Sequence, residues 1–243
     1  MSERRYVLNA RFFPQDSCFC KSGKLFGACC GNPAPDRKPP AGINIVSNFL
    51  SATERESFIE FAKDRPRHAL GVYDADNSTA NQVAQKNDDV RKTQTVDLGA
   101  REAHVTDWVR RACLEIIQQR MGLRVEWFER PYVLRYGPGD RYEMHSDAEH
   151  IDPSNRKWYR AVDRDISILM YLNDGYEGGG LRFKHFNYTY QPKAGDLVLF
   201  PSSNVYMHES QPLIGGCKYA LASWGAIIGS PRVQAPPWPR VFL

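Results

Sequence analysis

The sequence lacks the long apolar runs and the one-sided charge that would place it at a membrane or on a nucleic acid. No apolar stretch approaches the roughly 20 residues of a membrane-spanning helix, so we expect no membrane partner. The net charge of the 243 residues is only +4 at pH 7, without a basic stripe, so we expect no nucleic-acid partner. The first residues carry charge but no apolar core of the signal-peptide type, and we therefore expect a cytoplasmic protein.

Cysteine is scarce and unevenly placed. Two of the six cysteines, Cys113 and Cys217, stand alone in the sequence. Without an export signal, a clustered set indicates a metal site before it indicates disulfides. A redox-active or free group of thiols is the alternative. The clustered cysteines are Cys18, Cys20, Cys29 and Cys30.

The rest of the chain divides into a helical part and a strand-rich part. Ser51 and Glu54 are spaced as a capping box at the start of a helix. Apolar residues at helical spacing predict a second helix over residues 100–120. After Met121, short strand-like runs alternate with turn signals, which is typical of an antiparallel sandwich or barrel.

Three segments have no periodic pattern. Residues 32–42 are rich in proline and glycine and predict a linker after the cysteines. Residues 71–95 are polar and irregular, and so long a loop is usually a functional lid or a disordered segment. Residues 231–243 are rich in proline and predict an irregular C-terminal arm.

One short motif suggests a metal site. The stretch RYGPGDRYEMHSD ends in His145 and Asp147, which would point the same way if the segment is extended. With one more histidine they would form the facial triad that suits non-haem Fe(II) and oxygen chemistry. Taken alone, such a pair is common by chance. The candidates for the third ligand are His68, His104, His150, His185 and His208.

A lysine follows the last of these histidines by ten residues. Lys218 heads a strand-like run on which Ala220, Ala222 and Trp224 share its face. A cation beside two small residues leaves room for an anionic ligand. A carboxylate would offset the cost of burying the ammonium group. The alternative is a surface lysine at a strand edge.

These residues occur in an order that resembles a known family. From about residue 43 to residue 228, the chain resembles the 2-oxoglutarate- and Fe(II)-dependent dioxygenases of the prolyl 4-hydroxylase type. The resemblance rests on YGPGDRYEMHSD, ISILMYLND with EGGGLRF, PKAGDLVLFPS, and HESQPLIGGCKYALASW. It implies an α+β, mainly β domain over residues 43–230, built as a double-stranded β-helix (jelly roll) with N-terminal supporting helices.

The resemblance also implies roles for single residues. The Fe(II) ligands would be His145, Asp147 and His208. Lys218 would bind the distal carboxylate of 2-oxoglutarate, and a lysine there favours the collagen-type and bacterial prolyl hydroxylases over oxygen-sensing relatives. O2 would be the second cosubstrate, and L-ascorbate is a further cofactor known in the family. Two pocket tyrosines, with core packing as their alternative role, would be Tyr136 and Tyr171, and Trp224 would pack near the pocket.

The cysteine cluster resembles a second motif. CFCKSGKLFGACC, with Ser22, Gly23 and Lys24, is similar to the SEC-C motif of the secretion ATPase. The similarity implies one structural Zn²⁺ in a small module over residues 1–31. Such a module commonly serves protein docking, and we expect the catalytic domain to turn over its cosubstrate without it. The four zinc ligands would be Cys18, Cys20, Cys29 and Cys30.

Three functions remain open. The first is hydroxylation of a prolyl residue in a peptide or protein, with 2-oxoglutarate decarboxylated to succinate and residues 71–95 and 148–164 flanking the substrate. The second is hydroxylation of a free amino acid or small metabolite. The third is a non-catalytic zinc-binding adaptor, against which the complete triad with Lys218 argues.

Overall fold

The computed structural model of the chain describes residues 4–32, 38–73, 85–86, 90–233 and 239–243. Its helices are α1 (Ala52–Lys63) and α2 (Glu102–Arg111), with 3-10 turns at Phe26–Ala28, Gly99–Arg101 and Asn204–Tyr206 and a π-helical segment at Ala112–Gln118. Its strands are β1 (Asn44–Val46), β2 (Arg67–Ala69), β3 (Val72–Tyr73), β4 (Gln85–Lys86), β5 (Arg91–Lys92), β6 (Gln94–Val96), β7 (Val125–Glu129), β8 (Tyr132–Tyr136), β9 (Arg141–His145), β10 (Glu149–Ile151), β11 (Trp158–Arg160), β12 (Ile166–Tyr171), β13 (Glu177–Gly178), β14 (Leu181–Phe183), β15 (Tyr188–Tyr190), β16 (Leu197–Pro201), β17 (His208–Ser210), β18 (Leu213–Gly215), β19 (Lys218–Ile227) and β20 (Arg240–Phe242).

Two antiparallel sheets form the strand-rich part. The larger has nine strands, in the order β1-β16-β12-β19-β8-β6-β2, with β7 pairing β19 and β20 pairing β7. The smaller has the order β15-β14-β17-β9-β5. Two-stranded ribbons join β10 to β11, β13 to β18 and β3 to β4. A mainly β chain with few helices and sheets of this kind is consistent with a jelly-roll oxygenase fold.

The central strands of the large sheet have two different faces. On β12, Ile166, Ile168 and Met170 lie in the hydrophobic core that also contains the helices. The alternate residues Leu169 and Tyr171 line a cavity on the opposite face. Successive side chains of a strand point to opposite faces, so this sheet separates a purely structural core from the candidate site.

The first helix begins as predicted. Ser51 Oγ accepts from the Glu54 backbone N–H at 3.3 Å, and the Glu54 carboxylate accepts from the Ser51 backbone N–H at 2.8 Å, which confirms the capping box. Phe58 is fully buried, and its ring contacts Trp108 of α2 edge-on at 5.7 Å. None of the described helices is long and apolar enough to cross a membrane.

The second helix differs from its prediction. Instead of one α-helix over residues 100–120, α2 continues into the π-helical segment Ala112–Gln118. There Gln119 N–H donates to the Leu114 carbonyl at 3.2 Å, a bond that spans five residues. Apolar residues four apart fit either kind of turn, so the sequence pattern could not distinguish them.

Two segments predicted to be irregular contain strands. Within residues 71–95, β5 pairs with β9 and β6 pairs with β8, while residues 74–84 and 87–89 lie outside the described residues. In the C-terminal arm, β20 pairs with β7, and residues 234–238 are not described. Short strands of this kind form because distant chain edges offer hydrogen-bond partners, which local sequence does not reveal.

We expect Phe58→Ala to lower the free energy of unfolding by about 3–5 kcal/mol, because the large cavity it leaves cannot close fully. Urea unfolding of the purified chain measures this. Glu60→Ala is the matched control on the same helix, where the side chain of Glu60 is 75% exposed, and its effect should stay within about 0.5 kcal/mol. Equal losses in the two variants would contradict this description of the core.

Candidate active site and cysteine cluster

Two of the candidate ligands meet because their strands pair. β9 ends at His145 and β17 begins at His208, and these residues are partners in the antiparallel register. Asp147 lies in a bend just beyond β9. Its carboxylate oxygens lie 3.4 Å from His145 Nε2 and 3.7 Å from His208 Nε2. The candidate ligand atoms of the three residues all lie within 4.8 Å of one another.

Backbone carbonyl groups orient both imidazole rings. His145 Nδ1 lies 2.7 Å from the Glu143 carbonyl oxygen, and His208 Nδ1 lies 3.0 Å from the Tyr206 carbonyl oxygen. A carbonyl oxygen can only accept, so Nδ1 of each ring donates to it and Nε2 of each ring faces Asp147. Burial and the neighbouring His145 lower the pKa of His208 to about 4, which keeps that ring neutral at pH 7.

The aspartate is held in its charged form. Burial opposes ionisation, but the neighbouring His208 and His145 and the guanidinium group of Arg164 outweigh it and hold the pKa of Asp147 well below its usual range. Ser167 Oγ also donates to the carboxylate at 2.6 Å. Two neutral imidazoles and one carboxylate are the donor set of non-haem Fe(II) sites, so the residues present fit that metal.

An arginine not singled out from the sequence braces the segment that carries Asp147. Arg164 makes two hydrogen bonds of 2.7 Å to the Glu129 carboxylate and one of 3.2 Å to the Asp147 carbonyl oxygen. Its guanidinium carbon lies 3.7 Å from the centre of the Trp224 ring. The paired guanidinium is therefore fixed between the metal-site backbone and the cavity wall.

The predicted lysine lies in the wall of the same cavity, 2% exposed. Lys218 Nζ donates to the Gly179 carbonyl oxygen at 2.8 Å and to Ser210 Oγ at 2.6 Å. Both acceptors are neutral, and no carboxylate of the described residues pairs with this ammonium group. Burial lowers the pKa of Lys218 to about 7. A buried cation without a countercharge suits an anionic ligand.

The two predicted tyrosines line this cavity as well. Tyr136 is the register partner of Lys218, whose Nζ lies 4.3 Å from the centre of its ring. Burial raises the pKa of Tyr136 and that of Tyr171, so both hydroxyl groups stay protonated and can donate hydrogen bonds. The cavity thus brings together all six residues predicted for iron and cosubstrate, namely Tyr136, His145, Asp147, Tyr171, His208 and Lys218.

The other histidines do not line the cavity. His104 lies beside Trp108, with ring centres 5.0 Å apart, and His185 lies 5.5 Å from the Phe12 ring. His68 is on β2 and His150 on β10. Of the five candidates for the third ligand, the structure therefore brings only His208 to the other two.

The polar and aromatic cavity residues that were missed in the sequence include Ser210, Tyr142 and Arg91, whose guanidinium carbon lies 4.5 Å from the centre of the Tyr142 ring. Ser210 shares a strand face with His208, so the two-residue period could have found it. Tyr142 stacks on His145, with ring centres 3.7 Å apart, although it is three residues away. Ser210 pairs with Tyr142 while His208 pairs with His145, so two residues of β9 lie opposite one residue of β17 between these pairs. This β-bulge places Tyr142 on the cavity side of the strand, and nothing in the local sequence indicates it.

The four clustered cysteines form a second group of metal-binding type. Their sulfur atoms lie within 4.8 Å of one another, and those of Cys18 and Cys20 are 3.3 Å apart. A disulfide would need about 2.05 Å, whereas tetrahedral zinc with Zn–S bonds of about 2.3 Å places sulfurs about 3.8 Å apart. Hydrogen bonds from Ser22 and the neighbouring thiols lower the pKa of Cys20 to about 6, whereas burial raises that of Cys30 to about 12. The donor set and spacing fit Zn²⁺.

Comparisons with known proteins agree with this geometry. The model of the 2OG-Fe(II) oxygenase superfamily matches residues 131–225. Prolyl 4-hydroxylase 13 of Arabidopsis thaliana is 24% identical over 209 residues, which cover 75% of this chain and 70% of that protein. Prolyl 4-hydroxylase subunit alpha-1 of Gallus gallus is 32% identical over 116 residues, which cover 44% of this chain but only 22% of that subunit.

A solved structure extends the likeness to the fold. The crystal structure of a Pseudomonas putida prolyl-4-hydroxylase has a TM-score of 0.54 and 25% sequence identity, covering 76% of this chain and 92% of that one. The superfamily match runs from β8 into β19 and includes every residue predicted for iron and 2-oxoglutarate. Residues 131–225 therefore carry a 2OG-Fe(II) oxygenase domain, and the chain has prolyl 4-hydroxylases among its homologues and structural neighbours.

Proposed function

We propose that the chain is a 2-oxoglutarate- and Fe(II)-dependent dioxygenase that hydroxylates a prolyl residue in a peptide or protein. The observation that supports this most directly is one cavity that holds two imidazoles and a carboxylate beside a buried ammonium group, which has no carboxylate partner among the described residues. The choice of a prolyl substrate follows from the homologues, whose names state prolyl hydroxylation.

The chain's residues would contribute orientation and charge. His145, Asp147 and His208 would hold Fe(II), which when bound activates O2 and couples decarboxylation of 2-oxoglutarate to hydroxylation of a C–H bond. The two Nδ1 hydrogen bonds fix the imidazole rings before the metal arrives. Ser167 supports the carboxylate of Asp147 from the buried side.

Lys218 would bind the distal carboxylate of 2-oxoglutarate. Its ammonium group already contacts Ser210 Oγ, and the hydroxyl groups of Ser210 and Tyr136 can donate to the same anion. Charge-assisted hydrogen bonds are the strong ones in a site of low dielectric constant. Apolar side chains complete the wall and exclude water, among them Leu134, Leu169, Leu181, Ala220 and Ala222.

Two aromatic side chains offer surfaces to the prolyl residue. The rings of Tyr142 and Trp224 both line the cavity, and flat apolar faces suit a pyrrolidine ring. Trp224 Nε1 is buried without a hydrogen-bond partner in the part of the chain that the structure describes. An orphaned donor of this kind can bind a carbonyl oxygen of a peptide.

We expect the purified chain to release succinate when it is given Fe(II), 2-oxoglutarate and O2, and His145→Ala to abolish that release, because the site loses one of its three ligands. Quantification of succinate measures both. His68→Ala is the matched control, since His68 is exposed on β2, away from the cavity, and it should keep the wild-type rate.

The same assay separates the substrate classes. Proline-containing peptides should raise succinate release and gain one oxygen atom by mass spectrometry, whereas free proline should do neither. Stimulation by free proline alone would move the proposal to a small-molecule hydroxylase. Failure of the metal-loaded wild type to bind 2-oxoglutarate or form succinate would leave the non-catalytic adaptor.

Lys218→Met should weaken 2-oxoglutarate binding about 10- to 100-fold, the equivalent of about 1.5–3 kcal/mol for a charge-assisted hydrogen bond. Because burial lowers the pKa of Lys218 to about 7, the free ammonium group loses its proton as the pH rises. Wild-type affinity should therefore fall between pH 7 and pH 9, and that of the variant should change less. Calorimetric titration tests both, with exposed Lys193→Met as the control; parallel pH profiles would exclude Lys218 as the anchor.

We also infer that the cysteine cluster holds one structural Zn²⁺. The support is the set of four thiols at zinc spacing and the tight turn between Cys18 and Lys24, whose backbone N–H and carbonyl are joined at 2.9 Å. A region this small has little core of its own, so metal binding would supply much of its folding energy. The similarity to SEC-C and the domain limits 1–31, 43–230 and 231–243 remain predictions, as do protein docking and a role for L-ascorbate.

We expect one zinc ion per chain by elemental analysis. Cys29→Ser should lose it, because three thiolates and a hydroxyl hold zinc much more weakly than four thiolates do. Cys217→Ser, which lies outside the cluster, should keep the full content. Equal zinc content in the two variants, or none in the wild type, would exclude this assignment.

A further inference from the structure

The loop that carries His208 determines the geometry of one iron ligand. Residues 202–207, here called the His208 loop, join β16 to β17 and contain the 3-10 turn Asn204–Tyr206. The Tyr206 carbonyl oxygen lies 3.0 Å from His208 Nδ1. The loop therefore sets both where the imidazole stands and how it is rotated.

The N-terminal region, residues 4–32, binds this loop through its main chain. The side-chain oxygen of Asn204 accepts from Ala10 N–H at 2.8 Å, and its side-chain nitrogen donates to the Leu8 carbonyl oxygen at 3.0 Å. The same amide donates to the buried Glu149 carboxylate at 2.6 Å. Asn204 thus connects the N-terminal segment, the His208 loop and β10 through hydrogen bonds.

That segment is itself anchored beside β11. Val7 N–H donates to the Trp158 carbonyl oxygen at 2.9 Å, and Arg160 N–H donates to the Arg5 carbonyl oxygen at the same distance. The Tyr6 hydroxyl and the Arg4 guanidinium both contact the Asp152 carboxylate at 2.8 Å. The N-terminal segment therefore lies as an added strand on the hairpin that follows Asp147.

The cysteine-bearing part of the region packs on the other side of the loop. Tyr206 is 8% exposed, its ring lies 5.3 Å from that of Phe186, and its hydroxyl donates to the Ala41 carbonyl oxygen at 2.9 Å. Phe186 in turn contacts the rings of Phe12 and Phe26. One buried cluster contains Cys18, Phe26, Cys30, Phe186 and Tyr206.

We propose that the N-terminal region is a positioning element of the iron site: zinc on its four cysteines holds the His208 loop in place and so raises the affinity of the His145–Asp147–His208 site for its metal. The inference rests on the proposed function, because it assigns a structural control to that same site. It differs from the expectation of a separable docking module.

A series of contacts connects the cysteine cluster to His208, and this explains how zinc could affect the iron site. Phe26 sits between the two halves of the cysteine cluster, and its carbonyl oxygen accepts from Cys29 N–H at 3.0 Å and from Gly31 N–H at 2.8 Å. Without zinc, the four thiols no longer share a metal ion, and the turn at Phe26 loses this restraint. Phe26 then loses its fixed place against Phe186, whose ring supports Tyr206, and His208 loses a rigid support. Loss of the groups that orient a metal ligand typically costs about 10- to 100-fold in metal affinity.

Mn²⁺ is the probe for the experiment, because it favours nitrogen and oxygen ligands over thiolates and so reports on the histidine site. Its affinity for the full-length chain is measured from the electron paramagnetic resonance signal of free Mn²⁺. The variants are Asn204→Ala, which keeps all four cysteines, Cys29→Ser, which loses zinc, and Cys217→Ser as the control. His208→Ala shows how much of the binding belongs to the iron site.

Asn204→Ala and Cys29→Ser should each weaken Mn²⁺ binding about tenfold or more, while Cys217→Ser should match the wild type. In turnover, the apparent KM for Fe(II) should rise and kcat at saturating Fe(II) should change little. Loss of folded protein would instead lower kcat, so this division distinguishes positioning from a general structural role.

Equal Mn²⁺ affinity in the zinc-loaded wild type, Asn204→Ala and Cys29→Ser would overturn the proposal. If Cys29→Ser no longer unfolds cooperatively, Asn204→Ala with its zinc content intact decides alone. A zinc-loaded wild type that binds Mn²⁺ no better than His208→Ala would instead overturn the proposed function, and this inference with it.

Discussion

The pairing of β9 with β17 is the constraint on which the site depends. It sets His145 opposite His208, and β14 pairs with the other edge of β17, where Phe183 is the partner of His208. A slip of one residue would turn every side chain of β17 to the opposite face. Because His208 lies against the buried rings of Phe183 and Phe200, such a slip would put the charged side chain of Glu209 against them instead, so the hydrophobic core protects the register of the metal ligands.

The charged side chains that line the cavity are the carboxylate of Asp147 and the cations of Lys218 and Arg91. Arg164 is paired with Glu129, and together they hold the backbone at Asp147 without adding net charge to the cavity. The carboxylate lies between two imidazoles, and the ammonium group of Lys218 has no carboxylate partner among the described residues. The first attracts a cation and the second an anion. A metal ion and a dicarboxylate would compensate both groups at once.

The sequence predicts this site well where strand alternation and fixed spacing carry the information. His145, Asp147, His208 and Lys218 follow from such patterns together with a resemblance. Tyr142 does not, because a bulge in β9 changes which face it occupies. The hydrogen bonds from Asn204 to Leu8 and Ala10 also could not be predicted from the sequence, because they depend on how distant segments pack together. The π-helical turn after α2 could not be predicted for a third reason. Apolar residues four apart fit both an α-helix and a π-helix.

The N-terminal region and the oxygenase domain bury aromatic side chains against each other. The rings of Phe12 and Phe26 stack with their centres 5.0 Å apart, and both also contact the ring of Phe186. Phe186 in turn contacts Tyr206 of the His208 loop, so under the proposal above the region and the loop stabilise each other. Coupling free energies are reciprocal. If zinc strengthens metal binding at His208, then metal at His208 must strengthen zinc binding by the same factor, and the two sites form one thermodynamic unit.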